Sequence, residues 1–327
     1  MVEFHRNGKL TKGLNSTFIA LIPKATSPQR LNDFRPISLV GSLYKILAKV
    51  LANRLRSVIG TVVSESQSAF VKGKKILDGI LIANEVVDEV TRLKKELLLF
   101  KVDFEKAYDS VDLKYLDSVM ANMNFPTIWR KWIFECVGTA KASDLVNGSP
   151  TDEFPLERGL RQGDPLSPFL FLIAVEVINV LMKAVEGAHL FTGYGIGDEV
   201  EVRLTHLPFA DDTLIIGEKS WLNVRTMRSV LILFEELSGL KVNFNKSMLT
   251  GVNIPATWLS EAAMMMNCRK GTIPFVYLEL PIGGDSRKLF FWKPVVDCII
   301  SRLSSWNNKF LPLFRFTFFP FSKLLQV

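Results

Sequence analysis

Between His206 and Glu218 the chain reads HLPFADDTLIIGE, with Asp211 and Asp212 side by side inside an apolar stretch. Adjacent carboxylates repel each other, and apolar surroundings strip their hydration. The pair therefore belongs at a tight connection between two short strands, not in the middle of a buried one. A second apolar run, Leu97–Val102 (LLLFKV), reads as a strand buried on both faces, and it stops at Asp103. If those strands are neighbours, three carboxylates distant in the chain converge at one edge of a sheet. Clustered carboxylates are stable when divalent cations sit between them, and two ions roughly 3.5–4 Å apart form the clamp used for in-line phosphoryl displacement.

The other metal-binding residue types offer no competing site. Cys136, Cys268 and Cys298 are far apart, and His5, His189 and His206 stand alone, so neither CxxC nor HxxxH spacing occurs. A metal in this chain is expected to be held by oxygen, which points to Mg²⁺ or Mn²⁺ rather than zinc.

The 327 residues are 48% hydrophobic and 22% charged, enough to bury a core and too apolar for disorder. One elaborate domain or two to three subdomains are expected. The apolar segment Pro168–Met182 is interrupted by Glu176 and Asn179, and no stretch reaches the roughly 20 uninterrupted apolar residues of a membrane span. The N-terminus lacks the apolar core of a signal peptide. No membrane partner and an intracellular location are expected, with the nucleus a candidate. Net charge is +7 and unevenly spread: residues 1–95 hold 16 Lys and Arg against 7 Asp and Glu, leaving 24 against 26 for the remainder. A basic lobe joined to a lobe with carboxylates at apolar places suits a polyanion held by one part and worked on by the other.

Along the chain, the segment TFIALIPK precedes a helical pattern in SLYKILAKVLANRLRSVI, where Leu43, Ile46, Leu47, Val50, Leu51 and Leu55 mark the expected buried face and Lys45, Lys49, Arg54 and Arg56 the opposite one. A second helix is expected in ILDGILIANEVVDEVTRL and a third in YLDSVMANM. Asn147-Gly148 signals a hairpin turn. Ser167-Pro168 reads as the N-cap and first residue of a long apolar helix. Another helix, NVRTMRSVLILFEELSGL, should end at Gly239. The mixed order of strands and helices favours an α+β class.

Eight collinear segments, among them LNDFRPISLVGSLYKILAKVLANRL, FKVDFEKAYDSVD, ERGLRQGDPLSPFLFLIAVE, FADDTLI, GLKVNFNKS and YLELPIGGDSRKLFFW, resemble the reverse transcriptases of non-LTR (LINE-type) retrotransposons over about residues 5 to 310. The resemblance implies a right-hand polymerase fold: an N-terminal extension and basic fingers over 1–95, a palm with further fingers insertions over 96–285, and the start of an incomplete thumb with a degenerate tail over 286–327. It implies an RNA-directed DNA polymerase acting on an RNA template, a DNA primer and dNTPs with two Mg²⁺ ions, Mn²⁺ being a possible substitute. Asp103, with the adjacent Phe104 carbonyl, and the pair Asp211 and Asp212 match the family's metal-binding positions. Tyr108 falls where the family carries an aromatic steric gate against a ribose 2′-hydroxyl. Gln162 and Gly163 match the loop packed on nucleotide and template, and Lys246 matches the lysine proposed to protonate pyrophosphate. Arg35 and Lys45 are candidate triphosphate contacts, since guanidinium and ammonium groups suit phosphate oxygens.

The sequence departs from the family's pattern at four places. Pro208 removes a strand donor beside the acidic turn. Asp144 replaces an apolar residue, so that a carboxylate is expected at an inward position. Glu279 replaces a glycine in YLELP, and the tail leaves the pattern after Phe310. The chain therefore reads as a piece of a longer retroelement polyprotein. An inactive remnant that binds nucleic acid through its basic lobe is the first alternative, and a different two-metal enzyme such as a nuclease is the second.

Overall fold

The computed structural model describes residues 2–300 except 25, 26, 198–201, 285, 286, 290, 294 and 298. The tail after Phe310 and Cys298 lie outside the described residues. Helix α1 (Val2–Asn7) leads to strands β1 (Ser16–Pro23) and β2 (Phe34–Val40), then α2 (Ser42–Val62), α3 (Ile76–Leu93) and β3 (Leu97–Val102). Helices α4 (Ala107–Ser110), α5 (Leu113–Asn122) and α6 (Thr127–Gly138) follow, with strands β4 (Lys141–Val146), β5 (Ser149–Pro150) and β6 (Phe154–Pro155). Then come α7 (Ser167–Gly187), β7 (Tyr194–Ile196), β8 (Val202–Leu204), β9 (His206–Phe209), β10 (Asp212–Glu218) and α8 (Trp221–Ser238). The described elements end with β11 (Met248–Val252), α9 (Ala256–Met266), β12 (Arg269–Lys270), β13 (Phe275–Tyr277) and β14 (Leu280–Ile282).

Two sheets organise these elements. The first has the order β2-β1-β4-β5, with β6 also on β4; β1 and β4 run parallel although well over a hundred residues separate them. The second, β12-β11-β3-β10-β9, has β3 at its centre. Side chains alternate across a strand, so β3 feeds two cores. Leu98, Phe100 and Val102 join the larger core with α7 and α8, while Leu97 and Leu99 pack with α3, Leu214 and Tyr277. That double burial is why the run is apolar without alternation.

Several elements lie where the sequence places them. β3 ends at Val102, α3 spans Ile76–Leu93, and α8 ends on Gly239 at φ +74°. Asn147-Gly148 connects the paired residues Val146 and Ser149. Three expectations need correction. The buried face of α2 is Tyr44, Leu47, Ala48, Leu51, Ala52, Leu55 and Ile59, whereas Leu43 and Ile46 are more than half exposed; an apolar-rich helix presents two overlapping stripes, and tertiary packing selects one. Ser167 is already helical and caps nothing, because the Asp164 carboxylate accepts from Leu166 N (2.9 Å) just upstream. By length and composition α7 could cross a membrane, despite Glu176 and Asn179, but most of its apolar window is buried within this fold.

Candidate active site

The acidic pair occupies the tightest turn of the central sheet. Asp212 pairs with Phe209, so only Ala210 and Asp211 form the connection between β9 and β10. Ala210 sits at φ +51°, a conformation that a side chain disfavours. It is held there from outside the sheet: the fully buried Gln67 accepts through Oε1 from Ala69 N (3.0 Å) and Ala210 N (3.4 Å). On the other side Val102 pairs with Thr213, and one further step of that register sets Asp103 opposite Asp212. The three aspartates are thus gathered at one end of β3 and β10.

Electrostatics agree with the register. Burial raises the Asp103 carboxyl, Lys246, Lys101 and Arg269 pull it back, and Asp211 pushes it up. Burial also raises Asp212, followed by the charge of Asp211, with Lys101 opposing and Asp103 adding. Asp103 and Asp212 therefore both feel the charge of Asp211, and Lys101 and Lys246 stand close enough to offset part of the repulsion.

Asp103 is anchored by its backbone. Its N–H donates to the buried Ser247 Oγ (3.0 Å), and its carbonyl accepts from Asn243 N (2.7 Å). Glu105 N donates to Lys241 O (2.8 Å), so the Phe104–Val242 bridge uses the groups flanking Phe104 and leaves the Phe104 carbonyl aimed to the other side of the strand, that of β10. Lys246 is exposed, and its carbonyl accepts from Arg269 Nη2 (2.7 Å). The loop carrying Lys246 thus lies along the strand end carrying Asp103.

Tyr108 stands beside this cluster. Its ring stacks on Phe171 (4.6 Å between centroids, 15° between planes), and its phenol is pushed up to about 12 by burial and by Asp211. Leu160 N donates to the Tyr108 carbonyl (2.6 Å), bringing the loop of Gln162 and Gly163 alongside. Gln162 Nε2 donates to Asp109 Oδ1 (3.2 Å), and its carbonyl accepts from Ser38 N (2.7 Å). Gly163 has φ +102°, and a Cβ there would meet Ser38 O at 3.0 Å, so this close approach to β2 requires glycine. Arg35 and Lys45 are solvent-exposed, and among the described residues no hydrogen bond or ion pair joins either to the three aspartates.

The departures take different forms. With a two-residue turn, Phe209 and Asp212 exchange main-chain hydrogen bonds and Pro208 and Thr213 do not; the N–H missing at Pro208 costs no bond to β10, contrary to expectation. Asp144 does not enter the core: it is half-buried on β4, and its N–H donates to Thr151 Oγ1 (3.0 Å). Glu279 is exposed in the β13–β14 turn at φ +64° beside Leu278 at +49°, which explains why a glycine suits that position.

Gln67, Ser247, Arg269, Lys101 and Tyr277 also contribute to this region; Lys101, Ser247 and Tyr277 fall within family-like segments, but no local signal assigns any of the five a role. Arg161 and Asp164 did carry one, as charges bracketing Gln162-Gly163 in an apolar neighbourhood. All three aspartates offer hard oxygen donors, with the Phe104 carbonyl beside them, which fits a hard divalent cation better than zinc. Among the described residues no group of three or more His, Cys, Asp or Glu side chains stands placed to hold a metal ion, so the three aspartates share a strand end without forming a ready-made metal site. A cavity of about 640 Å³ lies between α1, residues 9–14 and α2, away from the carboxylates.

A family model described as reverse transcriptase (RNA-dependent DNA polymerase) matches residues 22–275. The chain is 26% identical over 316 residues to the transposon TX1 uncharacterized 149 kDa protein of Xenopus laevis, covering 94% of this chain and 23% of that protein. It is 27% identical over 248 residues to a retrovirus-related Pol polyprotein from type-1 retrotransposable element R2 of Popillia japonica, covering 72% of this chain and 33% of that one. The chain thus spans a third or less of the length of these relatives. In fold it is similar to telomerase from Candida tropicalis in complex with a fragment of telomeric RNA, with a TM-score of 0.58 at 13% identity over 84% of this chain and 44% of that one.

Proposed function

Since the chain belongs to the reverse transcriptase family and is a domain of the non-LTR retrotransposon kind, we propose that it carries the polymerising centre of a longer retroelement protein and extends a DNA primer on an RNA template. The observation that supports this reading most is the register that sets Asp103 opposite Asp212 beside the Asp211 turn. The family works with divalent metal ions. A pair of Mg²⁺ ions, or Mn²⁺ in their place, supplies activation of the primer 3′-hydroxyl and neutralisation of triphosphate charge when bound.

The chain's own residues divide the remaining work. Asp103, Asp211, Asp212 and the Phe104 carbonyl would hold the metal. The primer 3′-hydroxyl gives up its proton to solvent as its oxygen bonds to the α-phosphorus and the α–β phosphoanhydride bond breaks, and Lys246, exposed near Asp103, gives the departing pyrophosphate a proton that it regains from solvent. Tyr108, fixed by Phe171, blocks a ribose 2′-hydroxyl. Gln162 and Gly163 line the incoming nucleotide and template, with Asp109 orienting the Gln162 amide. Arg35 and Lys45, on the basic N-terminal third, engage phosphates from solvent.

The test is the full chain with an RNA template, an annealed DNA primer, dNTPs and Mg²⁺. Extension that Asp211→Asn abolishes is expected. Binding without extension, unchanged by that substitution, identifies an inactive remnant; loss of labelled substrate without dNTPs identifies a nuclease.

A further inference from the structure

Strand β13 lies outside the central sheet and pairs only with β14 among the described strands, yet it makes polar contacts to both strands that carry the acidic residues. Lys101 on β3 donates through Nζ to the Val276 carbonyl (3.1 Å). Next along the chain, Tyr277 is 1% exposed, and its hydroxyl donates to the Leu207 carbonyl on β9 (2.9 Å), with the Asp212 carbonyl 3.4 Å away. The hydroxyl therefore sits over the Pro208–Thr213 pair, where the β9–β10 ladder has no main-chain bond of its own. β9 is four residues long and, among the described strands, pairs only with β10, so few main-chain bonds fix it. A buried phenol is costly unless it bonds, and both oxygens within reach of this one are main-chain carbonyls, so it can only donate to them.

We propose that Tyr277 is a positioning residue: through its hydroxyl, β13 braces the β9–β10 turn against β3 and fixes where Asp211 and Asp212 stand relative to Asp103. The proposal rests on the polymerase reading for its consequence in turnover, but not for the brace itself.

Tyr277→Phe removes one oxygen and keeps the ring, so the packing around it is retained. In the full chain without divalent metal, amide hydrogen exchange over 207–214 should accelerate about fivefold to tenfold, the factor one ordinary hydrogen bond carries. Exchange over 97–102 should stay unchanged. In extension assays kcat should fall about tenfold, while KM for dNTP and the Kd for primer–template stay within about twofold, as for an interaction that matters only at the transition state. Unchanged exchange over 207–214 overturns the brace. Faster exchange with wild-type kcat overturns the positioning role, and equal acceleration over 97–102 reduces Tyr277 to general stability. A wild-type chain that does not extend while Tyr277→Phe still loosens 207–214 removes the polymerase reading and leaves the brace standing.

Discussion

Asp164→Ala should cost this fold more stability than removal of any of the three clustered aspartates. The Asp164 carboxylate is 2% exposed; it accepts from Tyr44 Oη (2.7 Å), Arg161 Nη2 (2.9 Å) and Leu166 N (2.9 Å). Arg161, 4% exposed, also donates to the Cys136 carbonyl (3.1 Å) and lies over the Tyr44 ring at 4.3 Å. The Asp164–Arg161 pair thus joins α2, α6 and the loop that presents Gln162 and Gly163. Truncating it leaves a guanidinium buried with a single carbonyl partner, and breaking such a pair costs about 3–5 kcal/mol. The Tyr44 hydroxyl is 3.5 Å from the Cys136 carbonyl and can turn to it, so no second penalty is added. At about 2.1 cal/mol/K of unfolding entropy per residue, a chain of 327 residues loses about 1.5 °C per kcal/mol, so the melting temperature should fall by about 4–7 °C. Urea denaturation followed by circular dichroism measures the cost directly. Arg161→Met combined with Asp164→Leu removes both charges and should recover most of it. A loss under about 1 kcal/mol for Asp164→Ala, or a double variant no better than the single, refutes the reasoning.

Tyr108→Ala opens the space its stacked ring fills and should raise rNTP incorporation relative to dNTP; an unchanged ratio counts against the gate. Asp212 is raised by burial first and Asp211 second, so the folded chain binds its proton more tightly than the unfolded chain and stability falls as pH climbs above 3.8. In metal-free buffer Asp212→Asn should therefore melt higher than wild type at pH 7 and not at pH 3, and an equal gain at both would sink the argument. Burial, then Lys183, depresses His206 to about 4 from 6.5, so between those values the unfolded chain binds more protons and acidification destabilises the fold by up to about 1.4 kcal/mol per pH unit. His206→Gln should flatten that slope in acid titrations of unfolding, and an unaltered slope rules His206 out as its source.

What is legible in the sequence depends on whether a residue's cost can be judged locally. A carboxylate at the end of an apolar run has no inexpensive explanation, so Asp103, Asp211 and Asp212 mark their sheet edge from sequence alone. The same holds for β3, whose apolar run needs a core on both faces, and for Gly239, whose left-handed φ ends α8. Where two solutions cost nearly the same, local pattern cannot choose. The stripe through Leu43, Ile46 and Val50 and the stripe through Tyr44, Ala48 and Ala52 are both helical faces of α2, and only the packing of α2 against α7 selects the second. Ser167 likewise has the residue type of a cap, but Asp164 already satisfies the upstream amide, so the serine enters the helix. The least legible residues are those whose partners lie far along the chain: Gln67 reaches Ala210 and Tyr277 reaches Leu207, and neither has an unusual neighbour in sequence. Both act on the backbone of one hairpin, whose carbonyls and amides exist whatever the side chains are. A residue that binds a side chain leaves a matching residue type elsewhere in the sequence, whereas one that binds backbone leaves none. The groups proposed to hold metal and substrate can thus be read from residue types, while those proposed to set their spacing emerge only from the fold.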